Sequence, residues 1–143
     1  MDKNNFFWQI QNGDLPPPPA AATLGIRFTA IDAAAGSIEV EFQARQEFTN
    51  PAGNIQGGFL AAMLDDCMGP ALAATLAAGE FAPTLNLNVA YQRAARVGLI
   101  QGKARIVKRG KDICFLAGEL YQDDCLIATA TATAMVRSLA TGV

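Results

Sequence analysis

The sequence predicts an α+β domain in which an antiparallel β-sheet wraps around one long α-helix. Residues 57–78 form an Ala-rich stretch that is apolar on most faces and has the length of a long helix. Segments on both sides of it alternate apolar and polar residues with period two, two segments before it and four after. Turn-forming residues between the later segments join them as hairpins. A helix that is apolar nearly all round has to be enclosed by other structure, and a sheet wrapped around it supplies that enclosure.

The 143 residues suit a single domain, residues 1–143. It opens with an N-terminal segment, residues 1–22. Within that segment Phe6-Phe7-Trp8-Gln9-Ile10 reads as a short helix or packing segment, and Pro16 to Pro19 as a stiff extended connector. A turn into the first strand explains the prolines better than recognition by a proline-binding partner. The first strand is expected at residues 24–31. The second, at residues 37–43, sets Ile38, Val40 and Phe42 against Glu39, Glu41 and Gln43, after a turn ending in Gly36. A loop rich in breakers runs from Arg45 to Gln56. The helix follows over residues 57–78, with Gly79 as its stop and a kink expected at Pro70, which removes one internal hydrogen bond. Strands are expected at residues 84–91, 99–108, 113–122 and 125–137. Arg109-Gly110-Lys111-Asp112 and Asp123-Asp124 supply the turns between the last three.

Composition removes several classes of function. Apolar residues make up 51% of the chain and charged residues 17%, which gives ample core and no sign of disorder. The net charge of −2, with no long basic run, argues against a broad nucleic-acid surface. There is no histidine, so Ser-His-Asp and Cys-His catalysis, His-ligated metals and a His-based dehydratase are excluded. Cys67, Cys114 and Cys125 are odd in number and lack CxxC spacing, against both a disulfide framework and a zinc site. The polar start is unlike a signal peptide, and Asp65, Asp66 and Pro70 interrupt the most apolar stretch, which makes it unlike a membrane span. The expectation is a cytoplasmic protein.

Two features within that frame carry chemistry. Asp65 and Asp66 sit in the middle of the most apolar helix, where an unpartnered carboxylate is costly to desolvate. Either both lie on an exposed strip, or one is a functional acid or base in a partly apolar site. At about 100° per residue, Asp65 shares a strip with Gly58, Ala61, Gly69 and Leu72, while Asp66 lies along Ala62, Pro70 and Ala73. The small residues beside Asp65 leave room for a ligand, a modest argument in its favour. The second feature is Gln56-Gly57-Gly58 at the helix start, where unpaired N–H groups and the positive end of the dipole can hold a phosphate or a developing oxyanion. The same glycines also suit a sharp turn into the helix.

The run Asn50-Pro51-Ala52-Gly53-Asn54-Ile55-Gln56-Gly57-Gly58, followed by Leu64-Asp65, resembles the N-x-x-G-x-x-H-G-G-x₅-[apolar]-D signature of PaaI-like hotdog-fold acyl-CoA thioesterases. The segment Thr84 to Tyr91, then Gly98 and Gly110-Lys111, is similar to that family's central strands and turns, so the likeness covers about residues 45–136. Two positions depart from the pattern. Gln56 stands where the family usually has His, and Gly69 where relatives often carry Ser or Thr. The resemblance implies hydrolysis of an acyl-CoA thioester with no cofactor beyond the CoA of the substrate, by a homodimer that assembles further to a homotetramer. It implies that the Gly57 N–H polarises the carbonyl and that Asp65 acts as general base or nucleophile. Asn50, Gly58 and Gln56 would position substrate or water, and Thr84 would hold the lytic water. Arg93, Arg96, Lys108, Arg109 and Lys111 are candidates for the nucleotide phosphates, although each alone also reads as an ordinary surface charge.

Three rival readings remain. A non-catalytic acyl-CoA binder would need the glycines but not Asp65. A hotdog hydratase would need a His-Asp pair that this chain cannot supply. A structural module would use exposed sheet edges and would turn over no thioester.

Overall fold

The computed structural model of the chain describes residues 1–139. Six strands form one sheet: β1 (Arg27–Asp32), β2 (Ser37–Ala44), β4 (Thr84–Tyr91), β5 (Gly98–Arg109), β6 (Ile113–Gln122) and β7 (Cys125–Met135). They are ordered β1-β2-β5-β6-β7-β4, and every neighbouring pair is antiparallel. The concave face of the sheet packs on α3 (Gly57–Ala73). This is the α+β hotdog arrangement that the sequence led us to expect.

Alternation explains which face is buried. Ile38, Val40, Phe42 and Ala44 of β2 point to the helix, as do Ile100 and Ala104 of β5, Cys114, Leu116 and Leu120 of β6, and Ala128, Ala130, Ala132 and Ala134 of β7. They meet Leu60, Met63, Leu64, Cys67, Met68 and Leu72 of α3 in one continuous core. Close approach depends on Gly102. A Cβ there would come 2.5 Å from Cys67 Sγ and 2.9 Å from Val40 Cγ2. The β6–β7 connection is a two-residue hairpin with Asp123 at φ 50° and Asp124 at φ 62°, the type I′ geometry that matches strand twist.

Strands β4 and β6 occupy the spans expected from the sequence, and β2 and β5 differ by a residue or so at their ends. Elsewhere the structure corrects the expectation. Residues 20–24 are not the approach to a strand but part of α2 (Pro19–Leu24), so β1 begins only at Arg27. Pro19 at the first helical position brings a preset φ, and Gly25 closes the helix at φ 66° with its N–H on the Ala21 and Ala22 carbonyls. The long helix runs past Pro70 but ends at Ala73, short of residue 78. Its end is fixed from outside. Asn5 Nδ2 donates to the carbonyls of Ala73 (3.1 Å) and Leu76 (2.8 Å), and Trp8 Nε1 to that of Ala74 (3.0 Å). Asn5 is 1% exposed, and its Oδ1 also accepts the Trp8 N–H, capping α1 (Phe6–Gln11). The strand expected to reach residue 137 stops at Met135, and Arg137–Ser138 form a separate β8 paired with β3 (Glu80–Phe81). Among the described residues, no helix is long and apolar enough to cross a membrane.

Candidate active site

The loop entering α3 is organised by Asn50. Its Oδ1 accepts the N–H groups of Ala52 (3.0 Å) and Asn54 (3.1 Å), and Gly53 takes φ 84° inside the turn. The Gln56 N–H donates to the Phe48 carbonyl at 2.8 Å, while Phe48 stacks on Phe59 with ring centroids 4.3 Å apart, which fixes the entry angle of the helix. The first intrahelical bond runs from the Phe59 N–H to the Gln56 carbonyl, 2.9 Å, so the N–H groups of Gly57 and Gly58 come before the ladder begins. The Gln56 side chain is exposed and takes no part in capping.

Gly57 is held from the side by Tyr91, which the sequence reading did not single out. Its hydroxyl donates to the Gly57 carbonyl at 2.7 Å, and a Cβ on Gly57 would come 3.2 Å from the ring. A side chain at Gly57 would therefore crowd the Tyr91 ring. Asn50, Gly57, Tyr91 and Arg93 share the lining of an open hollow of about 360 Å³ at the helix start.

Asp65 lies eight residues further along α3, about 12 Å up the axis at 1.5 Å per residue. The Thr84 hydroxyl donates to Asp65 Oδ1 at 2.9 Å, so Thr84 contacts the carboxylate itself. Within one chain the helix start and Asp65 are too far apart to act on one carbonyl carbon. Asp66, the neighbouring carboxylate, has different surroundings. Its Oδ2 is buried with no hydrogen-bond partner among the described residues, and burial, with the charge of Asp65 adding to it, pushes its pKa up to about 7. It lines a cavity of about 400 Å³ between α3 and the N-terminal segment. Neither the orphaned carboxyl nor this cavity was legible in the helical pattern. Both depend on where residues 1–28 fold back.

The basic candidates separate. Arg93 stands in the hollow beside Gly57. Arg96 is committed elsewhere, paired with Asp123 at 2.8 Å and bonded through its backbone to Gln122. Arg109 donates to the Thr75 hydroxyl at 2.7 Å, which puts it and its hairpin neighbours Lys108 and Lys111 at the far end of α3 from Gly57.

The profile of the thioesterase superfamily matches residues 52–129, more than half of the chain. Acyl-coenzyme A thioesterase 13 of Homo sapiens is 30% identical over 95 residues, 66% of this chain and 67% of that protein. Among solved structures, the phenylacetic acid degradation-related protein of Ralstonia eutropha JMP134 is 46% identical, with a TM-score of 0.90 over 92% of this chain and 99% of that one. The PaaI protein of E. coli has the same fold, with a TM-score of 0.79 over 90% of this chain and 91% of its own, at 19% identity.

Proposed function

Because the chain belongs to the thioesterase superfamily, it is a thioester hydrolase, and we infer that it cleaves an acyl-CoA to the free acid and CoA. The observation that carries the mechanism is the placing of two half-sites at the two ends of one edge strand. Thr84, at the start of β4, holds Asp65, and Tyr91, at its end, holds Gly57. The outer edge of β4 is open, with Leu85 and Tyr91 about half exposed. Antiparallel pairing of this edge with its own copy, about a twofold axis, would set the Thr84 end of one strand beside the Tyr91 end of the other. Asp65 of each subunit would then face the helix start of its partner, giving two complete sites per dimer.

In that site the thioester carbonyl oxygen takes the N–H of Gly57, with the N–H of Gly58 and the helix dipole behind it, and charge developing on the oxygen is stabilised there. Asp65 withdraws a proton from the attacking water, or its own oxygen attacks the carbonyl carbon. In both routes the C–S bond breaks and CoA leaves as a thiolate. In the second route water then hydrolyses the acyl–Asp65 anhydride at the aspartyl carbonyl, so single turnover in ¹⁸O-water separates the two, with label in the acid in the first and left on Asp65 in the second. Asn50 and Gln56 orient the substrate, and Arg93 meets the CoA phosphates. The reaction calls for no resident cofactor. Thiols that stay unpaired, buried at Cys67 and Cys114 and exposed at Cys125, suit a reducing cytoplasm. Thiol release from a panel of acyl-CoA thioesters tests the function. An assembled, pure protein that releases no CoA from any of them would overturn it.

A further inference from the structure

Tyr91 makes a hydrogen bond that neither of its ends requires. The residue is half exposed, so its hydroxyl could bond to water, yet it donates to the Gly57 carbonyl at 2.7 Å. At the start of a helix the groups short of a partner are the N–H groups, whereas the carbonyls accept from the next turn. The bond therefore caps nothing. It takes the second lone pair of a carbonyl that the helix already serves. Pairing in the sheet commits the side chain to this place. Tyr91 stands opposite the fully buried Ala128, so both point to the α3 side of the sheet. As the last residue of β4, Tyr91 extends past the core to the first turn of α3.

The connectivity of the peptide group sets what this bond does. The Gly57 carbonyl and the Gly58 N–H belong to one planar, conjugated unit. A donor on that oxygen polarises the unit and strengthens the N–H as a donor in turn. It also fixes the plane in which the N–H points. The Gly57 N–H belongs to the preceding peptide group and gains nothing. Gly58 has a second peculiarity. A Cβ at Gly57 would come 3.2 Å from the Tyr91 ring, whereas one at Gly58 would meet nothing within 4 Å. Alanine would suit the helix better there, and no neighbour in the chain forbids it. What glycine leaves at this exposed position is an uncovered N–H.

We propose that Tyr91 is a positioning residue for the oxyanion donors: through the shared peptide group it orients and strengthens the Gly58 N–H, so that two donors rather than one hold the thioester oxygen. The proposal rests on the thioesterase reading and adds a residue to it. Tyr91 touches no reacting atom and neither gives nor takes a proton. One oxyanion donor supplies about 10²–10³ in rate, and a bond in series strengthens the next by about 10–30%, so the hydroxyl should be worth about two- to eightfold in kcat.

The test compares wild type with Tyr91→Phe, which keeps the ring and removes the hydroxyl alone. A third protein carries 3-fluorotyrosine at position 91, a stronger donor when assayed below the pH at which it ionises. Tyr91→Phe should lower kcat on octanoyl-CoA about two- to eightfold, with KM and melting temperature near wild type. The fluorotyrosine protein should match or exceed the wild-type kcat. A readout free of turnover uses protein labelled with ¹⁵N-glycine. In Tyr91→Phe the Gly58 ¹⁵N resonance should move and that of Gly57 should stay, because only the Gly58 nitrogen shares a peptide group with the accepting oxygen. Movement of both or of neither, or a fall in melting temperature along with kcat, would make Tyr91 a structural prop and overturn the proposal. So would an unchanged kcat in Tyr91→Phe, a loss carried by KM, or a fluorotyrosine protein no faster than Tyr91→Phe. A wild type that hydrolyses no thioester, while Tyr91→Phe still moves Gly58 alone, retains the donor arrangement and overturns the thioesterase reading instead.

Discussion

Asp65 and Asp66 are consecutive in the chain but unlike in circumstance, one held by a threonine hydroxyl and the other orphaned against an apolar wall. Asp65→Asn is expected to keep the fold and lose about 10²–10⁴ in kcat, the range for a general base. Asp66→Asn should change octanoyl-CoA turnover little, and steady-state kinetics with circular dichroism checks both. Asp66 has a stability signature of its own. Its folded-state pKa, about 7, is raised above the ordinary 3.8, so the folded state binds more protons than the unfolded state between those values. Stability from this group is full below pH 4 and is lost as pH rises through 7. Urea melts should therefore show Asp66→Asn gaining on the wild type between pH 5 and pH 8, and a constant difference would contradict the burial of this carboxyl. Gln56, with an exposed side chain unused by the cap, is free to orient substrate. Because a CoA thiolate leaves without much protonation, Gln56→Ala should slow turnover roughly three- to tenfold, one ordinary hydrogen bond. Gln56→His should bring no large gain in kcat. The carboxylate pair and the glycines were legible in the sequence because charge in an apolar helix, and Gly-Gly at its start, are local anomalies. Tyr91 was not, since only the folded sheet lays it across Gly57.

At the scale of the elements, the joint between α1 and α3 is the feature most exposed to test. One buried side chain, Asn5, caps the start of α1 and receives the end of α3. Asn5→Ala removes an N-cap and leaves two buried carbonyls short of a donor, which should cost about 2–4 kcal/mol, read as a lower urea midpoint. A change under 0.5 kcal/mol would mean that water serves those carbonyls equally well. The same joint explains why the sequence misplaced the end of the helix. Residues 74–78 continue its Ala-rich pattern without a breaker until Gly79, and the signal that stops it at Ala73 comes from side chains some seventy positions away. Strand β6 was readable because its burial alternates, and β4 because its apolar and polar residues alternate, although only Leu87 and Val89 of β4 are even half-buried. Helix α2 was not, because Pro-Ala-Ala-Ala has no apolar period, and β3 and β8 are two residues each, too short to alternate.

At the scale of the whole molecule, the proposed shared site rests on the open β4 edge and on the distance of about 12 Å between half-sites. Sedimentation should show a dimer or tetramer at micromolar concentration, and a stable, active monomer would refute the shared site. A sharper check mixes two inactive variants, Asp65→Asn and Gly58→Val, after co-refolding. Random pairing restores one intact site in each mixed dimer, so activity should return to about a quarter of wild type. No recovery would place both groups in sites within a single chain. The division of labour along the chain has a further consequence. The stretch common to the superfamily begins at residue 52, yet Phe6, Phe7, Pro17, Pro18 and Phe28, which close the cavity beside Asp66, all precede it. The residues that close this side of α3 thus lie outside the stretch that carries Gly57 and Asp65. A change among residues 6–28 would therefore reshape the wall beside Asp66 while leaving the Tyr91–Gly57 and Thr84–Asp65 contacts in place.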